Sequence, residues 1–202
     1  MSLLIAAAIV QAAPALEADT YQAALRCRQA IVTGIDALPI AVTAQFNYFT
    51  MAAARAMPGD ADYFARMRTV MAPDAGPAAM RREEAAALLG PCDQRFPLAR
   101  RTAPPTLPAD DFQRDMICAG ATSQLAGVAR GYGERTGDTA PYQRLQALAA
   151  RYQARVIPAL AAHGLGDAAA ARRAIGEQMF ASLDVGNGDA IANACEAQAP
   201  PR

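Results

Sequence analysis

The sequence predicts an all-α protein, and three observations carry that prediction. Alanine recurs through almost the whole chain, runs of β-branched residues are short, and glycine and proline fall mainly between stretches of helical period. The chain further divides into two similar halves, each opening and closing with a cysteine, so the expected architecture is two tandem disulfide-pinned helical repeats of about four helices each. An N-terminal signal peptide precedes them.

The elements follow in chain order. The opening "MSLLIAAAIVQAAPA" has an apolar run from Leu3 to Val10, then Pro14 between Ala13 and Ala15, the small-residue arrangement that signal peptidase cleaves. Residues 1–15 are therefore assigned as a signal peptide, although the first charged side chain is Glu17 and a positive leader is missing. The run is too short to cross a bilayer, and Arg, Asp or Glu interrupts every later apolar stretch, so no transmembrane segment is expected in the mature chain.

The first repeat, 16–98, is expected to hold helices near 20–33, 39–57, 61–71 and 78–89. Gly34, the "MPGD" at 57–60 and the "APDAGP" at 72–77 separate them. A proline-rich linker, 99–109, lies inside "PLARRTAPPTLPAD", which has no helical period. The second repeat, 110–202, is expected to hold helices near 111–129, 141–162, 168–183 and 190–197. "GYGERTGD" at 131–138 reads as a loop. "DVGNGD" at 184–189 reads as a helix C-cap at Gly186, a turn, and Asp189 as the next N-cap.

The duplication rests on "YQAALRC", Tyr21 to Cys27, against "FQRDMIC", Phe112 to Cys118. At an offset of 91 residues Asp19 falls on Asp110, Tyr21 on Phe112, Gln22 on Gln113 and Cys27 on Cys118. The endings "CDQRFP" and "CEAQAP" agree again after a slip in register. Each aspartate is placed to cap a helix whose first turn carries the aromatic and whose second turn leads to the cysteine. Four cysteines behind a signal peptide imply two disulfides formed in an oxidising compartment, so the protein is expected to be periplasmic or secreted. One bridge per repeat pairs Cys27 with Cys92 and Cys118 with Cys195.

Composition narrows the chemistry. All 19 basic residues are arginine, so Schiff-base, P-loop lysine and lysine general-base mechanisms are excluded. One histidine, His163, and three serines leave few choices of base and nucleophile, and neither Ser123 nor Ser182 lies in a nucleophile-elbow motif. The balance of 19 basic and 19 acidic residues gives no whole-chain basic excess for nucleic acid. No catalytic residue, cofactor-binding residue or metal ligand is assigned. Asp111 and Asp115, one turn apart at a helix start, read as complements of the helix dipole rather than as an acid–base pair.

Two surfaces remain as binding candidates. From Pro141, Tyr142, Leu145, Ala149, Tyr152, Val156 and Leu160 share one helical sector, and Arg144, Arg151 and Arg155 gather opposite them. That arginine face is a candidate for anion binding. In the first repeat, Phe46, Phe49, Phe64, Met67 and Met71 concentrate adaptable apolar side chains, a candidate surface for varied apolar partners. No family motif is matched. At the level of architecture alone the chain is similar to the small disulfide-pinned acid-stress chaperones of the periplasm, which puts no residue in a role. The expected function is a non-catalytic binding module for a protein or small-molecule partner. The alternatives are a hydrolase-like enzyme using Asp and Arg side chains, and a chaperone or inhibitor of the periplasm.

Overall fold

The structure is a computed structural model that describes residues 15–36, 38–72 and 79–199. All but the last residue of the expected signal segment, and most of the 72–77 separator, lie outside the described residues. The described residues form an all-α protein: α1 (Thr20–Val32), α2 (Ile40–Ala56), α3 (Tyr63–Val70), α4 (Arg82–Arg95), α5 (Asp111–Thr136), α6 (Ala140–Ala162), α7 (Ala168–Ala181) and α8 (Gly188–Ala197), with a 3₁₀ turn at Ser182–Asp184. No described helix is long and apolar enough to cross a membrane.

Side-chain caps start five of these helices. Asp19 and Asp110 accept from the backbone N–H of Gln22 and Gln113, each at 2.8 Å, as their matched positions imply. Asp62 and Asp167 do the same for α3 and α7. Each satisfies a donor that a helix start would otherwise leave unpaired. The end of α2 is closed differently. Arg66 reaches back from α3 and donates to the carbonyls of Ala54, Arg55, Met57, Gly59 and Ala61, so one guanidinium gathers the chain reversal between α2 and α3.

Both expected bridges are present, Cys27–Cys92 and Cys118–Cys195. Each fastens the last helix of a half onto the first, α4 onto α1 and α8 onto α5. By loop-closure entropy, bridges that close loops of 65 and 77 residues each stabilise by about 4 kcal/mol.

Several boundaries differ from the expectation, including the start of the fourth helix, at Arg82 rather than near 78. The fourth helix, expected to end at Leu89, runs through Gly90 and Pro91 to Arg95, because only a continuing helix keeps Cys92 on the buried face of Ala85 and Leu88. The fifth, expected to end at Ala129, continues to Thr136 through most of the stretch read as a loop. It stops where Gly137 turns left-handed, φ +81°. Gly133, inside α5, lies directly under that turn, since a Cβ there would sit 2.9 Å from the Asp138 carbonyl oxygen. Finally, Gly186 is not in the left-handed region, and the cap of α8 is Asn187, not Asp189. The Asn187 side chain accepts from Asp189 and Ala190 and donates to the Arg101 carbonyl at 2.8 Å, tying α8 to the linker. The linker is anchored at both ends of its course, by buried Ala99 and buried Leu107.

The cores of the halves interlock. Leu183, with Met179 and Phe180 beside it, packs into the cluster formed by Phe49, Tyr48, Leu88 and Val70. In the other direction Ala44 and Ile40 of α2 pack with Leu125, Ala129, Leu145 and Ala192. Two polar contacts reinforce the exchange: Tyr48 donates to the Leu183 carbonyl at 3.2 Å, and Arg55 bonds the Phe180 carbonyl and Asp184. Inside the first half, buried Arg28 donates to the Val70 carbonyl at 2.9 Å and lies over the Phe46 ring, linking α1 to the end of α3.

Helices α3 and α7 approach so closely that a Cβ on Gly176 would lie 2.6 Å from Cβ of Tyr63. That neighbour is fixed to the backbone and cannot swing away. Gly176→Ala should therefore destabilise the protein by about 1–3 kcal/mol in urea unfolding, the usual cost of overpacking. Gly120→Ala, whose nearest neighbour is the flexible Met179 sulfur, should cost less. Fragments 16–98 and 109–202, oxidised and separated, should each lose cooperative melting by circular dichroism and recover helix on mixing, because each borrows side chains from the other to fill its own core.

Candidate functional site

The sequence-predicted apolar surface is largely absorbed by the core. Phe49 has no exposed area, and it packs edge-on against Tyr48 and Phe96. Phe46 and Met67 are half-buried against the same cluster. Phe64 is half-buried, edge-on to Tyr63, and covered by the Arg172 guanidinium at 4.2 Å. Only Met71, 63% exposed, stands in solvent. Five large side chains within so few residues must pack somewhere, and α2 and α3 line the interface with α7.

The arginine face is drawn into ion pairs. Arg144 meets Glu196 at 2.6 Å, fastening α6 to α8, and Arg155 meets Asp115 of α5 at 2.7 Å. Arg151, between them in sequence, makes no ion pair among the described residues. Asp115 is 7% exposed, and its Oδ1 finds no hydrogen-bond partner among the described residues. Nearby, Tyr152 donates to the Cys195 carbonyl at 2.7 Å, and burial, helped by Asp115, pushes its pKa up. The face thus contributes to how α6 seats against α5 and α8. His163 caps the end of α6 and stacks flat on Phe112 at 3.8 Å.

What the sequence did not disclose is a groove on the other flank of the α5–α6 pair. It has a volume of about 420 Å³ and is formed by α5, α6 and α7. Met116 and Gly120 supply one side, Ile157 and Leu160 the second, Ile175 and Met179 the third. The Met179 sulfur packs onto Gly120, which leaves α7 close to α5 at this level. Ile157 is 65% exposed and Ile175 38%, so two of the large exposed apolar side chains flank the same opening. Its polar groups are neutral. Ser123 donates to the Ala119 carbonyl at 2.6 Å and accepts from the Gln153 amide at 3.0 Å, leaving the Gln153 carbonyl oxygen without a partner in this pair.

A volume of this size suits a small molecule, because ligand pockets run from roughly 300 to 1,000 Å³ with mostly apolar walls. Among the described residues no group of three or more His, Cys, Asp and Glu side chains is arranged to hold a metal ion. The described carboxyl with a shifted pKa is Asp62, lowered by the backbone hydrogen bond from Ala65 and by Arg172, and it lies outside this groove.

The ion pairs lead to a contrast between two exposed arginines. Arg155→Gln should destabilise by about 2 kcal/mol, because it strands the buried Asp115 carboxylate. Arg144→Gln, whose partner Glu196 remains solvated, should cost under about 0.5 kcal/mol. Urea unfolding of the two variants measures the difference, and equal small losses would show Asp115 to be well hydrated. No protein family, curated protein or solved structure matches the chain, so the groove and its neighbours stand on their own geometry.

Proposed function

We propose that the protein is a non-catalytic binding module of an oxidising compartment, periplasmic or secreted, and that the α5–α6–α7 groove takes an uncharged small apolar ligand. The observation that carries this reading is the pair Ile157 and Ile175, large apolar side chains of two different helices left partly in solvent beside one opening. Burying both under a ligand would remove apolar area from water at about 25 cal/mol per Å². The neutral lining argues for an uncharged occupant, since a charged group would lose its hydration there and meet no counter-ion. The Gln153 carbonyl offers one acceptor for a hydroxyl or amide on the ligand.

Secretion is supported by the segment 1–15 and by two disulfides that use all four cysteines. Tandem duplication is supported by the shared Asp caps, by one bridge per half and by four helices in each. The copies have diverged: α5 has 26 residues against 13 in α1, and α3 packs on α2 where α7 packs on α5 and α3.

The test uses N-phenyl-1-naphthylamine, an uncharged apolar fluorophore, in a chain that has no tryptophan to interfere. The wild type should enhance its emission saturably. Ile157→Glu with Ile175→Glu should weaken binding at least about tenfold while leaving the melting temperature nearly unchanged, because both side chains already face water. Binding that is not saturable, or that the double variant leaves intact, overturns the reading.

A further inference from the structure

The groove between α5, α6 and α7 has a direction. Helices α5 and α6 run antiparallel, and two contacts fix their register: Gln153 meets Ser123 at 3.0 Å, and His163 stacks on Phe112 at 3.8 Å. Between those contacts each helix gives the groove one stripe at helical spacing, Ser123, Gly120 and Met116 on α5 and Gln153, Ile157 and Leu160 on α6. Each stripe spans about 10 Å by the helical rise. The polar side chains of the lining, Ser123 and Gln153, stand together at one end, and every other lining side chain is apolar or glycine. We propose, on the reading of this groove as a site for an uncharged apolar ligand, that the ligand is a straight-chain primary alcohol. Its hydroxyl sits on Gln153 and its tail runs toward Met116 and Leu160.

A hydrogen-bond count sets the head group. Ser123 has one hydroxyl hydrogen, and it goes to the Ala119 carbonyl at 2.6 Å, so toward Gln153 the serine oxygen can only accept. The Gln153 amide therefore turns an N–H to Ser123 and keeps its carbonyl oxygen for a donor. A hydroxyl supplies that donor without a charge, whereas an ether of equal size has no hydrogen to give. A carboxylate has none either, and it would bring a charge that nothing in the lining answers. The far end sets the length. One turn beyond Met116 and Leu160 the same stripes reach Phe112 and His163, whose stacked rings stand across the two helices and mark the end of the space for a tail. Midway, Met179 lies over Gly120, and its flexible thioether can adapt to a chain passing there.

Displacement of N-phenyl-1-naphthylamine by octan-1-ol and by its isomer 1-methoxyheptane tests the assignment, since the two differ only in the hydroxyl hydrogen. The alcohol should displace the fluorophore about fivefold more tightly, the worth of one hydrogen bond. Gln153→Leu, at an exposed residue, should abolish that preference while leaving the circular dichroism melt unchanged and the ether bound. Along a series of primary alcohols, affinity should rise about threefold per methylene as far as octan-1-ol and level off by dodecan-1-ol. Phe112→Ala, checked for an intact melt, should move that plateau to longer chains. Equal displacement by alcohol and ether, a preference that survives Gln153→Leu, or a rise that continues unbroken through dodecan-1-ol would each overturn the proposal while the fluorophore still binds, leaving the groove as a site of broader taste. A fluorophore that does not bind saturably would bring down both readings.

Discussion

The constraint on which the structure most depends is the covalent fastening of each half's last helix to its first. Helix α4 shows why. It packs chiefly on α1 and buries only Ala85, Leu88 and Cys92 fully. One buried leucine contributes about 2 kcal/mol and an alanine much less, which is little to hold a helix of 14 residues. The Cys27–Cys92 bridge removes much of the loop entropy that would otherwise carry α4 away. Without α4 in place Ala85, Leu88 and Cys92 leave the first half's core. Helix α8 depends on its bridge in the same sense, although Ile191 and Ala192 also anchor it in two clusters.

Alanine sets the second feature of the architecture. The contacts of α1 with α2 run through Ala23, Ala24, Ala30, Ala52 and Ala53, and those around α5 through Ala121, Ala126 and Ala129. Small side chains let helices come close and leave few large ones to fill the junctions. The larger residues gather where helices cross between the halves, Phe49 and Tyr48 under Leu183, and Tyr63 against Phe180 at a 5.0 Å centroid spacing. The stripe of Phe and Met in α2 and α3 is the consequence. Its spacing was visible in the sequence, but whether such a stripe faces solvent or a neighbouring helix depends on α7, more than a hundred residues away.

The helices themselves were legible because their starts and stops are chemical. Asp19, Asp110 and the run from Pro141 mark beginnings that need no tertiary context, and the pairing of cysteines followed from the repeated pattern around Cys27 and Cys118. Helix ends were less legible where glycine or proline did two jobs. Pro91 reads as a stop, yet Cys92 must follow on the buried face, and the helix carries the proline. Gly133 reads as a loop residue, yet it lies inside α5 because the turn after the helix passes close over it. The arginine face was legible as a face. Its partners were not, since Asp115 and Glu196 belong to other helices. The groove was not legible for the same reason: Gly120, Ile157 and Ile175 share no sequence period, and their meeting is a property of three packed helices.

The connectivity of the bridges bears on how the chain is made. The cysteines pair in chain order, first with second and third with fourth, so a polypeptide that emerges from its N-terminal end can close each bridge as soon as the second partner appears. No early pairing has to be undone by slow disulfide exchange. The first half is nonetheless left waiting, because the Leu183 side chain that fills the space beside Phe49 is among the last to arrive. In the folded chain the stretch from Met179 to Cys195 serves both halves: Leu183 fills the space beside Phe49, and Cys195 closes the second bridge.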